Sequence, residues 1–240
     1  MGRGDILQGF EHQVVMSEGR IEAITLQALP YRDRERIVKF FSKEEGLLTM
    51  IVKGISPKKP DLLALSSPLI LVRLVYRKKK GDLHLLTDVK IETSFMEIRK
   101  DLTTLNAACE MAKAIRSSQL PHKASPQLYA LFKAYLEKIS SFENPQILAS
   151  SFLLKLLMHD GHLHLQPTCQ RCNEKALFLE KGESLCQKHK DPFSISFTDR
   201  EWGDLFLLTY SKKFSELQQI GHASLDKILD LYKTTLEAVR

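Results

Sequence analysis

A chain of 240 residues, 43% of them hydrophobic and 27% charged, has enough apolar content for one large or two small cores, which excludes a disordered polyelectrolyte. Its formal net charge of +6 is concentrated: residues 53–80 hold eight cations against the single acid Asp61, so the rest of the chain is close to neutral. The most apolar run, residues 147–158, is too short for a bilayer and contains Lys155, and the first twenty residues lack a signal-peptide core; the chain reads as a cytosolic protein with no membrane span.

Residues 1–19 form an N-terminal extension, and residues 20–93 read as strands. Runs at 20–29, 36–41 and 46–53 are followed by a fourth in which Ile70, Val72, Leu74 and Tyr76 share a core face. Leu69, Leu71, Arg73, Val75 and Arg77 share the other. Gly81-Asp82 marks a turn, and Leu83, Leu85, Thr87, Val89 and Ile91 alternate as a fifth strand. Five short strands in so few residues predict a closed barrel of OB type, with residues 57–67 as a loop or short helix between strands three and four.

From residue 94 the period becomes helical. Phe95, Ile98, Leu102, Leu105, Cys109 and Ala112 form one predicted stripe, in which Cys109 reads as a buried apolar residue. Ser125-Pro126 and Asn144-Pro145 each have the form of an N-cap followed by proline at the first helical position. The helix after Asn144 is apolar nearly all round, which predicts a central place in a bundle. Thr198 to Glu201 matches a capping box, and Ser224 is the expected cap of a last helix through Ile228, Tyr232 and Val239. The fold class is therefore α+β: an OB-type barrel, then a helical domain over residues 94–240.

The basic stretch has two readings. A focused patch, Lys53, Lys58, Lys59, Arg73, Arg77, Lys78, Lys79 and Lys80 with Arg32 and Arg34 from an earlier turn, suits phosphate contacts with nucleic acid. The other reading is a solvated strand and turn whose lysines protect a sheet edge. Tyr31, Phe40, Phe41 and Tyr76 are candidate base-stacking residues, although Phe40 and Tyr76 also suit a core.

Cys169-x2-Cys172 and Cys186-x2-His189, thirteen residues apart, supply two ligand pairs on two turns, the spacing of a structural zinc site with residues 176–179 in a short intervening hairpin. The expected cofactor is one zinc per chain within an inserted segment, residues 167–191. His162 and His164 are alternative ligands or exposed loop residues. The His-x-Glu of zinc deaminases is missing, as are nucleotide-loop, metalloprotease and hydrolase signatures, so the chain reads as non-enzymatic.

Ala28 to Asp33, Arg36-Ile37-Val38, Glu45-Gly46-Leu47, Val52 to Ile55, Ser67-Pro68-Leu69 and the downstream cysteine pairs, taken in order, resemble the bacterial recombination mediator family RecO. The resemblance spans residues 20–240, with His189 where the common pattern has a fourth cysteine. It implies an OB-fold that binds single- and double-stranded DNA, annealing of complementary strands, and recombinase loading with RecR on DNA coated by single-strand-binding protein. It also implies a groove on the helical domain for that protein's acidic tail. An RNA-binding or translation-associated module is the alternative, since OB-folds and zinc ribbons serve RNA equally well.

Overall fold

The computed structural model describes residues 18–221 and 225–237. Strands β1 (Glu18–Pro30), β2 (Glu35–Ser42), β3 (Gly46–Lys53), β4 (Leu71–Arg77) and β5 (Leu83–Thr93) close into a barrel in the order β1-β2-β3-β5-β4. A short helix, α1 (Pro60–Ala64), connects β3 to β4. Every pairing is antiparallel except β3 with β5. This is the expected OB-fold. Closure depends on the length of β1, whose first half pairs with β4 and second half with β2, with a register slip between Thr25 and Gln27 where it turns the corner.

Val38, Phe40, Leu48, Met50, Val72, Leu74 and Tyr76 fill the barrel. Tyr76 lies so close over Gly19 that a Cβ there would come within 2.3 Å of its ring. The predicted inward face of the fourth strand is the observed one. The simple alternation expected of β5 is not: its buried residues are His84, Leu86 and Val89, while Thr87 and Asp88 are exposed. A bulge pairs Val75 with Asp88 but Tyr76 with Leu86, skipping Thr87, whose hydroxyl donates to Val75 O at 2.9 Å. One extra residue inverts the parity of everything after it.

The helical half comprises α2 (Leu102–Ser118), α3 (Pro126–Ile139), α4 (Pro145–His159), α5 (Asp199–Tyr210) and α6 (Leu225–Glu237). Helix α4 is the central one, buried along most of its length against α2, α3, α5 and α6. Asn144 caps it by accepting the Gln146 N–H at 3.1 Å, and both bonds of the Thr198/Glu201 capping box form. Of the stripe beginning at Phe95, Ile98 and Ala112 are buried and Phe95, Leu105 and Cys109 pack against the core, and only Leu102 is corrected to the surface. Phe95 has a left-handed backbone (φ +46°) ahead of a 3-10 turn, Met96–Lys100, and α2 starts only after Asp101, which caps it. The break rotates the face, so Leu102 is 70% exposed and Thr104, Ala107, Ala108, Met111 and Ile115 are buried. Cys109 lies half-buried against this core, its thiol pushed up by burial. Ser125 holds the N-cap position of α3, but its side chain does not cap. Ser224 and Val239 lie outside the described residues.

The outer face of the barrel is only partly solvent-facing. Ile24, Leu26, Phe41, Leu47, Leu69 and Leu71 belong to the same continuous apolar core as α2, α3 and α4. Polar contacts complete the seam: the His122 N–H donates to Leu47 O at 3.1 Å, and Arg99 donates to Pro68 O at 2.6 Å. Gly46 (φ +70°) permits the closest approach, since a Cβ there would stand 2.0 Å from Lys123 O.

Candidate metal centre and nucleic-acid interface

Between α4 and α5 the chain builds a three-stranded sheet from β6 (Phe178–Glu180), β7 (Glu183–Leu185) and β8 (Ile195–Ser196), in the order β7-β6-β8. The β6–β7 turn uses Lys181 and Gly182, both at positive φ (+47° and +82°), as a two-residue hairpin demands. A hairpin is therefore present between the ligand pairs, over residues 178–185 rather than the expected 176–179, nearer the second pair.

Each ligand pair sits on its own tight turn. In the first, the Asn173 N–H returns to Cys169 O at 3.0 Å with Asn173 at φ +61°, and the Arg171 N–H points at Cys169 Sγ at 3.4 Å. In the second, directly after β7, the Lys190 N–H donates to Cys186 O at 3.0 Å. Ligand atoms of Cys169, Cys172, Cys186 and His189 all lie within 4.8 Å of one another. The close pairs are Cys172 Sγ to Cys186 Sγ at 3.5 Å, Cys186 Sγ to His189 Nδ1 at 3.5 Å and Cys169 Sγ to His189 Nδ1 at 3.6 Å.

Ligands about 2.3 Å from a central zinc in a tetrahedron stand about 3.8 Å apart, so the set has the spacing, as well as the soft donors, to hold such an ion. Although burial pushes the Cys169 thiol up, the N–H groups of Arg171 and Cys186 together with His189 bring it down to about 6, toward the thiolate that a metal requires. His162 and His164 stand outside the set: the backbone of each is tied to the α4 exit or to the β6–β7 turn.

The cations of the basic stretch fall into separate groups. Because Leu83 stands opposite Thr49 on parallel strands, Lys53 lies four residues beyond that pair, about 13 Å at about 3.3 Å per residue, whereas Lys80 lies in the turn before it. One rim of the barrel carries Arg32, Arg34, Lys53, Lys58 and Lys59. There Arg32 lies over the half-exposed Tyr31 ring at 5.1 Å, Arg34 has φ +55° in the β1–β2 turn, and Lys53 pairs with Glu35 at 3.3 Å. The opposite rim carries Arg77, Lys78, Lys79 and Lys80 around the β4–β5 turn. Lys78 pairs with Glu45 at 3.0 Å, whereas Arg77, Lys79 and Lys80 make no ion pair among the described residues.

Arg73 lies between the rims, on the barrel flank, paired with Glu92 at 3.4 Å. It shares a cleft of about 540 Å³ with Arg20 and Lys90, which Glu22, Glu44 and Asp88 also line. Arg20 and Lys90 are outside the predicted set; the inward Val89 and half-buried Ile91 on either side are the signal that marks Lys90 as outward. Of the stacking candidates only Tyr31 is available. Phe40 and Tyr76 are inside the barrel, the core placement that suits them, and Phe41 is corrected to a core residue under the helical domain, 5.9 Å from Tyr129.

Comparison with known proteins bears on both regions. The family model "Recombination protein O N terminal" matches residues 16–95, and "Recombination protein O C terminal" matches residues 99–238. A Chlamydia pneumoniae protein named DNA repair protein RecO is 29% identical over 223 residues, covering 90% of this chain and 88% of the relative. A Chlamydia trachomatis protein of the same name is 28% identical over 210 residues, 86% of each chain. A Myxococcus xanthus namesake is 24% identical over 151 residues, 63% of this chain and 62% of the relative.

Proposed function

The chain belongs to the recombination protein O family, and from that premise we propose that it acts in DNA repair as a recombination mediator. It binds single- and double-stranded DNA, anneals complementary strands, and helps to load recombinase, together with RecR, onto DNA coated by single-strand-binding protein, whose acidic tail it engages. It works in the cytoplasm, at the nucleoid, and this role requires no bond-making chemistry.

The observation that carries the reading is the β4–β5 turn, which presents Arg77, Lys79 and Lys80 without carboxylate partners among the described residues. Annealing requires the repulsion between two phosphate backbones to be neutralised, and cations at opposite barrel rims supply that without reading bases. Burial of Phe40, Phe41 and Tyr76 supports a binding mode governed by charge. Among the functional assignments, one zinc would be held by Cys169, Cys172, Cys186 and His189. When bound it would cross-link two turns, and with four protein ligands it leaves no open position for a substrate.

The test is binding and strand annealing by the purified protein across a salt series, with structured RNA as competitor. Steep salt dependence with DNA preferred supports the proposal. Preference for structured RNA would instead favour a translation-associated module.

A further inference from the structure

Beyond the seam that His122 and Lys123 make with the barrel, α2 and α4 end beside the start of α3, and three side chains there are ordered as a relay. We propose that Ser125, His159 and Asp160 form a nucleophilic site that hydrolyses small carboxylic esters, an activity separate from DNA binding.

Ser125 Oγ lies 3.0 Å from His159 Nε2, and His159 Nδ1 lies 2.9 Å from Asp160 Oδ1. A carboxylate on Nδ1 fixes the tautomer that leaves the Nε2 lone pair facing the hydroxyl, which is the arrangement that activates a serine. Asp160 is itself held, because Gln119 Nε2 donates to its two oxygens at 2.9 and 3.0 Å and its own N–H donates to Leu156 O at 2.9 Å.

Ser125 stands at the N-cap of the 14-residue helix α3 yet makes no capping bond, so its hydroxyl is committed to His159 rather than to the helix. The helix start thus keeps main-chain donors beside the nucleophile; Pro126 has none, so Gln127 and Leu128 supply the first. All three relay residues line one open cleft of about 590 Å³, together with Gln119, Lys123 and Gln127. Such relays are recognised by geometry and role, since their order along the chain differs among unrelated folds.

In the acylation step, Ser125 Oγ bonds to the ester carbonyl carbon while its proton passes to His159 Nε2. The carbonyl electron pair moves onto oxygen, toward the α3 N-terminus. As that pair returns, the carbon–alkoxide bond breaks, and His159 gives its proton to the departing alcohol. Water then attacks the acyl-serine and passes a proton to His159. The bond to Ser125 Oγ breaks and the proton returns to that oxygen. Ester and water become acid and alcohol, with no change of oxidation state. Ser125 and His159 are the catalytic residues; Asp160 is a positioning residue.

The alternative is that these three side chains merely tie helix ends together. Two measurements on the full chain separate the readings: turnover of p-nitrophenyl acetate, and mass mapping after treatment with a fluorophosphonate. The proposal expects an adduct on Ser125 of the unaltered protein, and turnover about 100-fold lower in Ser125→Ala and His159→Gln. Asp160→Asn should lower kcat with KM unchanged, which a merely structural role would not produce. Absence of an adduct on Ser125, or turnover in Ser125→Ala equal to that of the unaltered chain, overturns the proposal. The labelling arm needs no variant, so it decides the matter even if a substitution impairs folding.

Discussion

Tyr129 donates its phenolic hydrogen to Glu22 Oε1 at 2.9 Å, a bond between α3 and the first barrel strand that Lys133 reinforces at 3.1 Å on the same oxygen. Partial burial pushes the Glu22 carboxyl up, but Lys133, the Tyr129 hydroxyl and the charge of Arg73 outweigh it and hold the group below its ordinary range. Burial and the neighbouring carboxylate drive the Tyr129 phenol upward, so it remains a donor. A hydrogen bond to a charged group contributes about 1.5 to 3 kcal/mol, and Tyr129→Phe should lose about that much stability in urea unfolding at pH 7. A depressed acid stabilises fully above its unfolded value, about 4.3 for Glu, and the effect fades as pH falls through the lower folded value. The difference between the unaltered chain and Tyr129→Phe should therefore shrink below about pH 4. A difference that stays constant down to pH 3 would show that the carboxylate is not engaged.

Elemental analysis of protein purified without chelator should find about one equivalent of zinc. Cys169→Ser and Cys186→Ser remove buried ligands and should abolish binding, with a loss of about 3 kcal/mol or roughly 6 to 12 °C in Tm. Metal-free protein with an unchanged melting curve would rule out a structural ion.

The β4–β5 turn allows a sharper DNA experiment than removing every lysine. Lys79→Ala with Lys80→Ala leaves the Lys78–Glu45 pair in place. This double variant should fold normally and weaken binding to all DNA sequences alike. The slope of log affinity against log salt should fall by roughly 0.7 per lost contact on single strands. Lys78→Ala should cost at most about 1 kcal/mol of stability, as expected for an exposed pair. Slopes identical to that of the unaltered protein would assign these lysines to edge protection.

Two glycines test the seam. Gly46→Ala must accommodate both a positive φ and a Cβ about to overlap Lys123 O, whereas Gly81→Ala faces a positive φ with nothing within 4 Å. The exposed turn should lose about 1 to 2 kcal/mol, the ordinary cost of a left-handed backbone, and Gly46→Ala distinctly more. Equal losses in thermal unfolding would mean that the approach to Lys123 is not close in solution.

Much of this architecture was legible in local patterns. Alternation placed Ile70, Val72, Leu74 and Tyr76 inside the barrel, and Thr198 with Glu201 announced a helix start, because both features depend on residues a few positions apart. The metal cluster was legible for the same reason, since two x2 spacings each define one turn. What escaped depends on distant partners. The β5 bulge is set by its pairing with β4, the break before α2 lies in a single extended residue, Asp101, and Ser125 turns from its helix toward His159, 34 positions away. The basic stretch looked continuous because closure of the barrel, which sends Lys53 and Lys80 to opposite rims, is not a property of any window of sequence.

Because six apolar residues on the outer barrel wall belong to the core of the helical half, neither half has a complete surface of its own. Cut out alone, the barrel would expose Ile24, Leu26, Phe41, Leu47, Leu69 and Leu71 as one contiguous apolar patch, a template for self-association. The intact chain should accordingly melt in one cooperative transition. During synthesis the early-emerging barrel must wait for α2 to α4 before that wall is covered, and the interval is its period of greatest exposure to aggregation.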